Sequence, residues 1–259
     1  MSELKSIIDT YRLNQQKCSI HFHREDNITK ESLEHIVKFI PLLKEFDKPD
    51  MYAKKGNEVL LLEHFQFDSA NHLRKGGSLQ KHEEARLEEK FQQAVSNSTD
   101  GTITTHDLIS AKPCLENYKS NFKRNFATHY NKISEYIKNL KNVGIIDSAT
   151  TCKTAFFIED TSALGNFFLN RDGQPNFLTV LYTNFFWEFI KDYKEHLDFI
   201  FFGVYNGEKD IIYFVDLNSR YDYSKCAIEL TESNYFSFEP NVISVSIAIP
   251  REEVEKMNE

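Results

Sequence analysis

Between Pro49 and Asp68 the chain reads PDMYAKKGNEVLLLEHFQFD, and the order of residue types in this stretch decides the fold. Lys48-Pro49-Asp50 stops whatever precedes it, and the polar Lys54 to Asn57 segment, with Gly56 available for a turn, predicts a hairpin. Residues 58–68 are then read as a strand with a period of two. One side carries Val59, Leu61, Glu63, Phe65 and Phe67; the other carries Glu58, Leu60, Leu62, His64, Gln66 and Asp68. Glu63 therefore falls in a hydrophobic row. A carboxylate is costly to bury unless a cation, a metal or several hydrogen-bond donors meet it. A metal shared with Asp50 would supply such a partner.

Upstream of this hairpin, Leu33, Ile36, Val37, Ile40, Leu42 and Leu43 recur near the helical period after a cap at Asn27 or Thr29. They predict a helix over residues 29–46 with a kink at Pro41. A short helix over 2–17 and a strand over 18–24 come before it. Downstream, Gly76-Gly77-Ser78 leads into a charged helix over 78–95, and residues 96–106, SNSTDGTITTH, read as a loop. The basic stretch that follows reads as one or two helices, so residues 97–143 are expected as an inserted basic helical segment. From residue 154 strand patterns dominate, at 154–160, 197–205, 210–217 and 242–249, with an aromatic-rich helix over 177–194. Strands before and after helices predict a single α/β domain over residues 1–259, a mixed central sheet flanked by helices.

Composition narrows the function classes. The chain has 259 residues, 41% of them hydrophobic and 14% aromatic, which is enough for a packed core. Its four cysteines, Cys18, Cys114, Cys152 and Cys226, form no CxxC pair, which argues against a zinc knuckle or a compact disulfide framework. They are expected as reduced thiols. The first residues mix Glu3, Lys5 and Asp9 where a secretion signal would be apolar, and no apolar run approaches the roughly 20 residues that span a bilayer. The expectation is a cytoplasmic protein without a membrane segment. The net charge of −8 counts against a surface coated by nucleic acid. It leaves room for a local basic groove, because Lys112, Lys119, Lys123, Arg124, Lys132, Lys138 and Lys141 outnumber Glu116 and Glu135 over residues 112–141.

Asp50 ahead of one hairpin strand and Glu63 inside the next resemble the PD-(D/E)XK nuclease superfamily, whose core runs helix, hairpin, helix, strand. The resemblance covers residues 29–95 and implies a restriction-endonuclease-like fold. It implies that Asp50 and Glu63 hold Mg2+ or Mn2+, and that the reaction is phosphodiester hydrolysis of DNA. In this family a glutamate on the preceding helix often completes the site; Glu34, or Glu31, occupies that place. The family's lysine follows the strand glutamate by two residues, but Phe65 stands there. Branches with a PDF...IEHFG type of signature place the lysine on the next helix, which makes Lys81 the substitute, with Lys90 second and Arg86 nearby. Lys119, Lys123, Arg124 and Lys132 would contact DNA phosphates. Two other classes stay open: a non-catalytic interaction protein that keeps the fold and binds protein partners, and a small-molecule binding protein built on the aromatic C-terminal half.

Three further groups stand out in the sequence. His64 and Asp68 lie on the strand side opposite Glu63, where His64 either meets substrate or a second carboxylate, or serves as a hydrogen-bonded structural histidine. Glu159 and Asp160 end the apolar run TAFFIED and offer an alternative register in which Glu63 and Glu159 hold the metal. Trp187, with Phe185, Phe186 and Phe189, is either a stacking platform for bases or part of the core.

Overall fold

The protein is described by a computed structural model over residues 19–22, 27–69, 79–97, 102–107, 114–162, 166–169, 175–177, 180–205, 210–218, 227–237 and 243–248. The helix expected at 2–17 and the Gly76–Ser78 turn lie outside these residues. In chain order the elements are β1 (Ser19–Phe22), α1 (Asn27–Val37), a 3-10 turn (Ile40–Leu42), β2 (Lys44–Glu45), β3 (Met51–Lys55) and β4 (Glu58–Phe67). Then come α2 (Leu79–Asn97), β5 (Thr102–Asp107), α3 (Leu115–Tyr130), α4 (Ile133–Asn142), β6 (Thr151–Asp160), β7 (Asn166–Leu169) and β8 (Pro175–Phe177). The chain continues with α5 (Asn184–Ile190), β9 (Phe199–Tyr205), β10 (Asp210–Asp216), β11 (Tyr235–Ser237) and β12 (Ile243–Ala248).

Seven strands form one mixed sheet in the order β1-β10-β9-β6-β4-β3-β2. The predicted hairpin is its nucleus: Gly56 turns the chain with a φ of 62°, the left-handed conformation that glycine adopts without a Cβ clash. Met51 then pairs with Leu62 and Lys55 with Glu58, antiparallel. On its other side β4 runs parallel to β6, Glu63 opposite Phe156. β6 in turn runs parallel to β9. The period-two pattern of β4 is realised as two packed faces. Leu60 and Leu62 join Leu33 and Ile36 of α1, Phe157, Phe201 and Phe214 in one core. Phe65 and Phe67 join Tyr118, Phe122 and Phe126 of α3, and Phe186 and Ile190 of α5, in the other. Val59 and Leu61 extend that second side against Tyr136 and Leu140 of α4. The sheet is thus covered by helices on both faces, an α/β arrangement.

Three expectations are corrected. The helix expected to run to residue 46 ends at Val37, and Lys44–Glu45 instead pair with Tyr52 and Met51 as the sheet's short edge strand. Pro41 lacks the N–H a helix interior requires and sits in the intervening 3-10 turn. Residues 102–107, expected as loop, form β5 and pair with β12. The aromatic helix begins only at Asn184, because the Thr183 hydroxyl caps it by accepting from Phe186 N at 3.3 Å and Thr183 bridges to Ile228. The helices α3 and α4, within the expected insert, pack on the sheet, where Tyr118, Phe122, Phe126 and Leu140 have no exposed surface.

Candidate functional site

β4 is longer than β3. Its last pair with β3 is Leu62 with Met51, so among the described residues no strand pairs with that edge of the carboxyl half of β4, from Glu63 onward. Alternate residues of a strand aim N–H and C=O at the same edge, which here means His64, Gln66 and Asp68. Side chains replace the missing ladder. His64 N donates to Asp50 Oδ2 at 2.8 Å, Asn125 Nδ2 donates to Gln66 O at 2.9 Å, and Asn121 Nδ2 donates to Asp68 O at 2.9 Å. Asn121, Asn125 and His129 are spaced i, i+4, i+8 and form one polar stripe on α3, beside its apolar stripe.

His129 completes that stripe at Glu63. Its Nδ1 lies 2.7 Å from Glu63 Oε1, and Tyr136 Oη donates to the same oxygen at 2.5 Å. Asp50 N donates to Glu63 Oε2 at 3.2 Å. The expected pair is therefore brought together, with Asp50 half-buried and the Glu63 side chain only 5% exposed. Both Glu63 oxygens are engaged by protein donors. Burial, and then the hydrogen bond to Glu63, push the Tyr136 phenol far above its ordinary range, so it stays a donor. The partner that a carboxylate in an apolar row requires is thus an imidazole, a phenol and a backbone amide.

Phe65, in the place of the family's lysine, is 5% exposed. Its ring stacks on His129 with centroids 4.7 Å apart and planes 9° apart, and it meets Phe126 and Phe156 edge-on. The +2 position is closed by aromatic packing.

A divalent cation at Asp50 and Glu63 does not fit this arrangement. Mg2+ and Mn2+ need several oxygen ligands and keep waters, whereas Glu63 is sealed under two helices with its oxygens already bonded. Among the described residues no group of three or more His, Cys, Asp or Glu is placed to hold a metal ion. Glu34 and Glu31 are exposed on α1, which covers the opposite face of the sheet from the Glu63 side chain. Lys81 lies in the first turn of α2, with its side chain outside the described residues; Arg86 is half-buried and Lys90 exposed on the same helix.

The remaining acidic and histidine residues form two separate groups. On the α1 face His64 Nε2 lies 2.6 Å from Glu159 Oε2, which also accepts from Gln66 Nε2 at 2.9 Å. His64 thus meets a second carboxylate while packing its ring against Phe157. Glu63 and Glu159 project from opposite faces, so the alternative register is not assembled. On the α3 face, Asp160 accepts from Tyr118 Oη at 2.9 Å and from Ser162 N at 3.0 Å. Burial pushes the Asp160 carboxyl up to about 6, against the pull of these donors, with the charge of Asp68 adding to the rise.

The expected phosphate contacts divide between two flanks of α3. Lys119 is half-buried and donates to Leu230 O at 2.8 Å, and exposed Lys123 lies 5.2 Å from the Phe185 ring centre. Arg124, on the other flank, donates to Asn121 Oδ1 at 3.3 Å, and Lys132 is exposed beyond the end of α3. Trp187 is core: it is 5% exposed and donates from Nε1 to Leu181 O at 2.8 Å. Among the described residues no helix is long and apolar enough to cross a membrane. No protein family, curated protein or solved structure matches the chain.

Proposed function

We propose that the chain is a cytoplasmic, restriction-endonuclease-like protein that acts by binding a partner, with its acidic pair used to hold the sheet together. The fold half of this reading is supported by the run α1, β2, β3, β4, α2, in which the three strands are antiparallel neighbours, and by β6, which joins β4 in parallel after β5, α3 and α4 intervene. That is the order expected of the family, with Asp50 just ahead of β3 and Glu63 where β3 and β4 part. The functional half rests on one observation: Glu63 is fully engaged by His129, Tyr136 and Asp50 N beneath a sealed Phe65.

A second reading, metal-dependent hydrolysis of DNA, is favoured by the adjacency of Asp50 and Glu63, and would require Glu63 to leave its partners for Mg2+ or Mn2+. The two separate in one experiment. The purified chain is incubated with supercoiled and linear DNA and millimolar Mg2+ or Mn2+, beside Glu63→Ala. The binding reading expects no cleavage above a protein-free control; cleavage lost in Glu63→Ala overturns it. If the partner is DNA, binding in EDTA should weaken with salt and fall in Lys123→Glu/Arg124→Glu. Salt-insensitive or absent binding points to a protein partner.

A further inference from the structure

The hydrogen bonds that close Glu63 leave one atom of the network facing outward, His129 Nε2. We propose that this nitrogen is a phosphoryl-accepting site, on an imidazole that Glu63 and Phe65 hold in one orientation. It is a modification site beyond partner binding, and its phosphoryl donor is a phosphoramidate.

Three observations carry it. Glu63 Oε1 already accepts from Tyr136 Oη, and a carboxylate has acceptor sites only, so His129 Nδ1, 2.7 Å away, carries the donated proton. That tautomer puts the ring's lone pair on Nε2. Next, the side chain is 24% exposed, and its open part is the Nε2 edge: Nδ1 is turned to a carboxylate only 5% exposed, and one ring face is stacked on Phe65. Among the described residues Nε2 has no hydrogen-bond partner, and it is not enclosed. Last, the surrounding charge selects an anionic electrophile. Asn121, Arg124, Asn125 and Thr128 share the His129 side of α3, and Lys132 follows in the turn where its N–H donates to His129 O at 3.1 Å. These five include two cations and no carboxylate, which suits a phosphoryl group better than a neutral acyl group.

In the transfer, the Nε2 lone pair attacks phosphorus as the P–N bond of the donor breaks, and the donor's protonated nitrogen departs as ammonia with that electron pair. Nδ1 keeps its proton. The positive charge that develops on the ring lies against Glu63, whose hydrogen bond to it strengthens as the transition state forms. Glu63 is thus a positioning residue.

The test incubates the full chain with phosphoramidate and follows phosphoryl gain at each histidine by peptide mass spectrometry and phosphorus NMR. His35 and His196 are internal controls: they are 45% and 49% exposed, and the carboxylates they face are themselves exposed. Exposure alone ranks both ahead of His129. The proposal expects the reverse, with His129 reacting about 10-fold faster than either and carrying phosphorus on Nε2. In Glu63→Gln the His129 rate should fall about 10-fold or more while His35 and His196 keep theirs. The proposal is overturned if His129 stays unmodified, reacts no faster than the two controls, or gains phosphorus on Nδ1. A folded Glu63→Gln that leaves His129 unchanged, or slows all three histidines alike, overturns it as well. The ranking within wild type decides even where Glu63→Gln does not fold, and DNA cleavage bears on the binding reading alone.

Discussion

Tyr136→Phe isolates the network around Glu63 with the smallest perturbation available. The substitution deletes one oxygen from a side chain that is 2% exposed and leaves the ring packed against Val59, Leu61 and Leu140. What is lost is the 2.5 Å hydrogen bond to Glu63 Oε1. A hydrogen bond to a charged acceptor contributes about 1.5–3 kcal/mol, and His129 remains to hold the same oxygen, so the loss should be about 2 kcal/mol. For a chain of this size that lowers the melting temperature by roughly 4–8 °C. Because burial and Glu63 raise the phenol's pKa in the folded state, Tyr136 favours folding most below its ordinary value near 10, and this contribution declines as pH rises above it. Tyr136→Phe should therefore unfold earlier in urea at pH 7 and lose less stability than wild type above pH 10. A double-mutant cycle with Glu63→Gln should give a coupling of about 1 kcal/mol or more. A loss under about 0.5 kcal/mol, or strict additivity with Glu63→Gln, would refute the claim that Tyr136 holds Glu63.

Other substitutions probe neighbouring parts of the account. Phe65→Lys puts an ammonium among Phe126, Phe156 and His129; it should cost about 4 kcal/mol or more in urea unfolding, and near-neutral stability would contradict a sealed position. Asn125→Ala strips the donor from Gln66 O and should cost about 1 kcal/mol, with faster amide exchange along the carboxyl half of β4; unchanged exchange there would count against side-chain completion of the edge. The Asp160 carboxyl, raised to about 6 from an ordinary 3.8, binds its proton more tightly folded than unfolded. Its contribution is therefore greatest below pH 4 and is lost as pH rises towards 6, by about 1–3 kcal/mol. Asp160→Asn should flatten that part of the stability profile, and an identical profile would remove Asp160 as its source.

Much of the central sheet was legible because β4 advertises itself. An apolar run over residues 59–67 with Glu63 set inside it, a glycine turn before it and a proline break before that are local signals, and they located both the hairpin and the odd placement of Glu63. The identity of Glu63's partner was not legible, since His129 and Tyr136 lie 66 and 73 residues away. One signal was present: Asn121, Asn125 and His129 repeat at helical spacing beside Tyr118, Phe122 and Phe126, and a polar stripe flanking an apolar one on a buried helix implies polar groups beneath it. Lys119, Lys123 and Arg124 sit on the same helix and obscure that stripe in the sequence. β5 was missed for a different reason. Its Thr-rich sequence, TITTHD, is polar enough to pass for a loop, yet threonine favours extended backbone, and the strand exists through β12, more than a hundred residues away. At the other end of the prediction, Glu34 was placed by family order alone, which says nothing about which face of the sheet a helix covers.

The most direct measurement is a crystal structure of the full chain grown or soaked with Mn2+ and phased at the manganese edge. No anomalous peak is expected between Asp50 and Glu63, with His129 Nδ1 and Tyr136 Oη still within hydrogen-bond distance of Glu63 Oε1. A manganese peak coordinated by Glu63, with either donor displaced, would contradict it.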